Sequence, residues 1–210
     1  MNKLNFYRVL LILSIVIIIV LLFVKPDNNK MEQQIISENT VLSVIHSRKS
    51  VRNYEPDKTV SREDVEILIK AGMAAPSGKD NRPWEILIID DRSLLDKLGE
   101  ELPTAKMLKK APMAIIVCGD TTRSFYWYID CSAVTQNILL AAESMGLGAV
   151  WTAAYPYEDR MSIVIENAGL PENILPLAVI PVGYPNGNEK PKDKYDASKV
   201  HFNKGVGNRS

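Results

Sequence analysis

Between residues 47 and 54 the chain reads SRKSVRNY, so that Arg48, Lys49 and Arg52 gather around Ser50. Guanidinium groups give paired hydrogen bonds to phosphate or carboxylate oxygens, and a serine hydroxyl adds one more donor, so these residue types suit an anion seat. A second basic group, KPKDK, brings Lys192 and Lys194 near the other end of the chain. Two other stretches have the composition of closely approaching backbone rather than of reactive side chains. One is APSGKDNRPW, with Pro76, Ser77 and Gly78, and the other is WTAAYP, with Thr152, Ala153 and Ala154. Taken singly, each has an ordinary explanation: a solvated basic face, a turn after a helix, the end of a strand.

Composition removes several classes of chemistry. The 210 residues hold 25 acids and 25 bases, a balance without the polybasic field that holds nucleic acid. Cys118 and Cys131 have no CxxC spacing and read as two buried free thiols. His46 and His201 are the only histidines, too few for a His-rich zinc site or a two-metal hydrolase, and neither has the setting of a triad base. No G-x-G-x-x-G follows a strand and no G-x-x-x-x-G-K-[ST] occurs, so neither a dinucleotide fold nor a triphosphate loop is signalled.

The elements that must position these residues follow from periodicity. Ser37 reads as an N-cap, with Val41, Val44 and Ile45 at helical spacing behind it, so a helix runs into Arg48. Ser61 and Asp64 open a second helix through Val65, Leu68 and Ile69, stopped by Ala74 and Pro76. EILIID is a short strand, RSLLDKLGEEL and TAKMLKKA are helical pieces, and MAIIVCG is a buried strand. WYIDCSAVTQNILLAAESMGLGAVW predicts a long helix, apolar nearly all round, ended by Gly146, with AVW entering another strand. A further helix covers YEDRMSIVIENAG, and LPLAVIPVGYP is the last strand before a lysine-bearing tail. Helices and strands alternate without the rhythm of a doubly wound fold, which points to an α+β sandwich.

The amino end carries VLLILSIVIIIVLLFV, Val9 to Val24, and with Leu4 to Tyr7 it reaches the roughly 20 residues that cross a hydrocarbon core of about 30 Å. The expectation is a single-pass membrane anchor over residues 1–25, or else a cleaved signal segment, although KPDNNKMEQ offers no small-x-small cleavage site. Lys3, Arg8 and the terminal amine slightly outweigh Lys25 and Lys30 on the far flank and favour the amino end inside, with the rest of the chain outside the cytoplasm. Residues 26–36 then form a polar linker and residues 37–210 one domain.

Taken in chain order, three pieces resemble the FMN-dependent nitroreductase family over about Ile36 to Lys204: SRKSVRNYEPDKTVSREDVEILIKAGMAAPSGKDNRPWEILII, DCSAVTQNILLAAESMGLGAVWTAAYP, and LPLAVIPVGYP followed by PKDKYD. The resemblance implies an α+β sandwich with a mixed, mostly antiparallel central sheet flanked by helices. It also implies an intertwined homodimer with FMN at the interface and a C-terminal extension wrapped on the partner. On that pattern Arg48, Lys49 and Ser50 bind the cofactor, with Arg48 and Ser50 at the FMN phosphate; Lys192 and Lys194 close over it, and Arg52 sets a cation near N1 of the ring. Pro76, Ser77 and Gly78 lie at the ring edge, laid there by the second subunit. The Thr152 to Ala154 stretch runs beside N5, where the backbone N–H of Ala153 or Ala154 donates. The family's usual Asn-x-Gln-Pro-Trp is replaced here by Asp80 and Arg82 at the Asn and Gln positions, and an ion pair between them is the expected partial substitute. Asp130 reads as a helix N-cap or first-turn acid, Trp84 as core. Tyr126, Trp127 and Tyr128 could line the substrate side, although three consecutive helical residues cannot share one face.

The implied activity is ping-pong transfer of hydride from NADH or NADPH to a nitroaromatic, quinone or related acceptor, the flavin carrying the redox step and no side chain acting as a nucleophile. Dehalogenation on the same scaffold is a minor alternative. A membrane-tethered flavin-binding electron carrier or sensor without NAD(P)H turnover is the alternative of a different class.

Overall fold

The computed structural model describes Tyr7, Leu11 and residues 13–15 and 40–203. The chain divides into two compact units, Met1–Ser43 and Val44–Ser210. In the first, Tyr7, Leu11 and residues 13–15 are helical, and Ser14 Oγ donates to the Leu11 carbonyl at 2.8 Å. The expected Ser37 cap, the linker and most of the apolar run lie outside the described residues. The expected membrane anchor is corrected: among the described residues no helix is long and apolar enough to cross a membrane. A span needs about 20 apolar residues on one helix, and the helical residues described in this stretch are Tyr7, Leu11 and residues 13–15.

The second unit is built on a sheet whose centre is dictated by two apolar runs. Strand β2 (Met113–Asp120) is buried along almost its whole length and lies between β1 (Trp84–Ile89) and β5 (Ile174–Gly183). Side chains alternate across a strand, and β2 divides accordingly. Met113, Ile115 and Val117 enter one core with Val134, Ile138 and Ile180, while Ala114, Ile116 and Cys118 enter a second with Leu95, Leu98 and Val164. Helices α2 (Arg62–Met73) and α4 (Trp127–Ser144) supply the first core, α3 (Arg92–Glu101) and α5 (Glu158–Ala168) the second, so the sheet is covered on both faces.

The caps follow the expected chemistry. Ser61 Oγ accepts the Asp64 amide at 3.0 Å at the start of α2, and Gly146 (φ 70°) and Gly169 (φ 63°) take the left-handed conformation that ends α4 and α5. Helix α4 is not buried all round. Cys131, Val134, Ile138 and Ala142 form its inner stripe, while Ile129 is half exposed.

Every strand pair among the described residues is antiparallel, which corrects the expected mixed sheet. The reason lies in where excursions begin and end. The α3 segment leaves and re-enters at one end of the sheet, with Ile89 opposite Ala114, and everything between Asp120 and Ile174 is likewise an insertion between paired ends. The expected AVW strand splits into β3 (Gly148–Ala149) and β4 (Thr152–Ala153). Both pair with β5, and the gap falls opposite Ile180 and Pro181, where proline supplies no N–H to a ladder.

Candidate functional site

Helix α1 (Thr40–Ser47) delivers the basic cluster, its last turn closed by the Arg48 amide on the Val44 carbonyl at 3.0 Å. Val51 is then buried against Gly148, where an added Cβ would lie 2.6 Å from Val51 Cγ1, so the chain is pinned to the sheet immediately after Ser50. From the far end of the domain, the tail leaving β5 returns along the same segment. Glu55 N–H donates to the Tyr184 carbonyl at 2.9 Å and Asn186 N–H to the Asn53 carbonyl at 2.9 Å. The result is a cavity of about 570 Å³ whose lining includes Arg48, Lys49, Ser50, Arg52, Lys192 and Lys194. Residues from the two ends of the domain thus meet in one predominantly basic space, in which Glu189 and Asp193 are the carboxylates among the described residues.

The cations in this cavity differ in availability. Lys49 Nζ lies 3.0 and 3.2 Å from the two carboxylate oxygens of Glu143, in the last turn of α4, and both side chains are partly buried. Lys49 therefore ties the cluster to the core. Arg52 Nη1 leans on the Ser50 carbonyl at 3.5 Å and is otherwise exposed. Arg48 and Ser50 are half-buried at the wall, and Lys192 and Lys194 are exposed on the tail. A phosphate dianion fits this donor set, since Arg48 offers a planar fork, the two lysines offer ammonium donors and Ser50 offers a hydroxyl that can donate, all on the lining of one cavity.

Pro76, Ser77, Gly78, Thr152, Ala153 and Ala154 do not line that cavity. The Ser77 loop is held by a network that residue types alone did not reveal. Asp130 is 5% exposed, accepts the Gly78 amide at 2.9 Å and the Ser124 hydroxyl at 3.2 Å, and Ser124 Oγ in turn accepts the Tyr126 amide at 3.0 Å. Asp130 is thus a first-turn acid of α4 whose carboxylate reaches out of the helix to clamp a loop. Gly78 lies under the Tyr126 ring, where an added Cβ would stand 3.1 Å from Cδ2. Further along, Lys79, Asp80 and Arg82 all adopt left-handed φ, at 55°, 56° and 47°. Such angles cost L-residues roughly 1–2 kcal/mol each. Two fastenings over-determine the turn: Ser77 Oγ accepts the Arg82 amide at 3.0 Å, and the expected Asp80–Arg82 ion pair forms with both forks engaged, at 2.8 and 2.6 Å. Its hydrogen bonds hold the Asp80 carboxyl below its ordinary range.

In the third stretch the register separates two candidates. Ala154 N–H donates to the Leu177 carbonyl at 3.0 Å, so it faces β5. Amides alternate along a strand, and that of Ala153 therefore faces away from the sheet. The Ala153 carbonyl, on the same outward side, accepts Arg160 Nη1 at 3.3 Å, while the Thr152 hydroxyl is spent on the Val179 carbonyl at 2.6 Å.

Of the three aromatics at the start of α4, Trp127 is buried and packs on Gly119, where an added Cβ would lie 2.5 Å from its Cε3, while Tyr128 stacks on Tyr155 at 5.4 Å. Trp84 is core, as expected. Cys118 and Cys131 are free and buried, and burial pushes both thiols up to about 12.

The sequence profile of the nitroreductase family matches residues 45–102 and 100–184. A provisionally named NADH dehydrogenase/NAD(P)H nitroreductase from Bacteroides thetaiotaomicron, known from its crystal structure, is 62% identical. It superposes with a TM-score of 0.77 over 79% of this chain and 98% of its own. A relative of the same provisional name from Methanothermobacter thermautotrophicus is 42% identical over 80% of this chain and 90% of its own. A provisionally named nitroreductase from Desulfovibrio desulfuricans, crystallised in complex with FMN, is 28% identical with a TM-score of 0.70, over 80% of this chain and 99% of its own. The chain belongs to the nitroreductase family.

Proposed function

We propose that this chain is an FMN-dependent oxidoreductase that takes hydride from NADH or NADPH and passes the electrons to nitroaromatic, quinone or related acceptors in a ping-pong cycle. The observation that carries the reading is the convergence of Arg48, Ser50, Lys192 and Lys194 on one cavity. The names of the relatives, which specify NAD(P)H, and the FMN held by the Desulfovibrio desulfuricans protein support it. When bound, FMN supplies the two-electron chemistry that no side chain here provides.

The chain's own residues bind and orient. Arg48 takes the phosphate with paired hydrogen bonds, Ser50 adds its hydroxyl, and Lys192 and Lys194 cover it from the tail. Arg52 contributes positive charge toward the N1 side of the ring. Ala153 offers the backbone N–H for N5, since Ala154 is engaged with Leu177, and the small side chains of both let the backbone approach closely. Thr152 holds the strand that carries this amide. Pro76, Ser77 and Gly78, positioned through Asp130, form the ring edge of a second protomer's site. A homodimer thereby joins the two halves that one protomer keeps apart, within a domain taken as residues 37–210.

The visible spectrum of the purified chain, recorded anaerobically before and after NADH, tests the reading. The expected result is a yellow protein that bleaches on NADH and recovers its colour with a quinone. A colourless protein that takes up no added FMN would overturn the assignment, and a yellow one that NADH leaves unchanged would reduce it to flavin binding without turnover.

A further inference from the structure

A carboxylate on the wall of an anion cavity opposes the ligand, so the presence of Glu189 there calls for a reason. The tail supplies one. It runs back along the body by the Tyr54 to Pro185 bridge and the Asn186 amide on the Asn53 carbonyl. Glu189 Oε1 then accepts the Arg52 amide at 3.3 Å and Asn53 Nδ2 at 3.2 Å. Gly187 leaves room for this carboxylate, since an added Cβ would lie 2.4 Å from Glu189 Oε2. Beyond Glu189 the attachment ends. Among the described residues, the hydrogen bonds and ion pairs of residues 190–203 are all to neighbours within the tail, such as Asp193 with the Tyr195 amide and Asp196 with Ser198 and Lys199. Lys192 and Lys194 lie just past that last fastening and still line the cavity with Arg48.

We propose that Glu189 is a positioning residue, the latch that fastens the tail to Arg52 and Asn53 and so holds Lys192 and Lys194 over the phosphate of FMN. The assignment rests on the proposed FMN site. It sets geometry against charge: by charge alone, removing Glu189 tightens the binding of a dianion, whereas by the latch it weakens it.

The test is FMN titration of the full-length apoprotein by quenching of flavin fluorescence. Glu189→Ala loses both accepted hydrogen bonds and should raise Kd about tenfold. Glu189→Gln keeps a carbonyl oxygen for both donors and should bind within about twofold of the parent, which a charge effect or an unfolded variant would not reproduce. In a Lys192→Ala/Lys194→Ala background, Glu189→Ala should cost little further, because the latch acts through those lysines. Tighter or unchanged binding by Glu189→Ala, or a full additive loss in the lysine-free background, would overturn the latch while leaving the FMN site standing. A parent chain that takes up no FMN would remove both.

Discussion

The two halves of the proposed site are made from opposite materials. The phosphate half is a set of charged side chains at the wall of an open cavity, two of them on a tail that is loosely attached beyond Glu189. The ring half is backbone: the outward amide of Ala153 and a loop with three left-handed residues, clamped at Gly78 by a carboxylate that is 5% exposed. Charge can be displayed on flexible chain because a Coulombic partner tolerates small displacements, whereas a single N–H aimed at one ring atom must be held by packing and by buried hydrogen bonds. Affinity should therefore reside in the first half and geometry in the second.

The largest expected effect tests that division. Arg48→Ala removes the planar fork proposed to meet the phosphate, and with charge-assisted hydrogen bonds contributing about 1.5–3 kcal/mol, FMN affinity should fall about a hundredfold. Riboflavin, which has the ring without the phosphate, should bind the variant as it binds the parent. Parallel titrations with both ligands check this, and an equal loss for the two would show that Arg48 shapes the ring half as well.

How legible each half was in the sequence follows the same division. Arg48, Ser50, Lys192 and Lys194 announce themselves as basic or hydroxyl-bearing by type, but it was the family resemblance that put them at one phosphate, and the cavity they share is the structure's contribution. The strand Met113–Asp120 and the glycine caps at 146 and 169 were legible because burial and positive φ each select a narrow set of residues. The ring half depended on tertiary partners. Asp130 meets Gly78 across 52 positions of sequence, and nothing in a first-turn acid marks it as a loop clamp rather than a helix-end charge. The choice between Ala153 and Ala154 required the register against Leu177. Lys79 and Arg82 are not residues that advertise left-handed backbone, and Asp80 does so only weakly, so the shape of their loop was hidden, although its ion pair was not. The membrane anchor is a different case: a hydropathy count gives a cost of transfer, and among the described residues no helix is long and apolar enough to span.

A change confined to the ring half should show the converse pattern. Asp130→Ala leaves the Gly78 amide and the Ser124 hydroxyl without their buried acceptor, a loss of about 1–3 kcal/mol. For a domain of this size that corresponds to a fall in Tm of roughly 3–10 °C. FMN and riboflavin should weaken by the same factor, since the phosphate half is untouched. A loss specific to FMN would mean that the Ser77 loop reaches the phosphate.

Lys49 sits in the phosphate half by sequence and belongs to the core by contact, which makes it the finest probe of the comparison. With its ammonium engaged by both oxygens of Glu143, Lys49→Met should change FMN affinity by less than about twofold, while the partly buried ion pair contributes on the order of 1 kcal/mol to stability. The converse variant, Glu143→Gln, releases that ammonium toward the cavity, and FMN should then bind a few-fold more tightly even as Tm falls. Opposite signs for stability and affinity in one variant have no explanation if Lys49 already holds the phosphate. In that case Lys49→Met would instead lose affinity on the scale of Arg48→Ala, and the boundary between the two halves would have to be redrawn at α4.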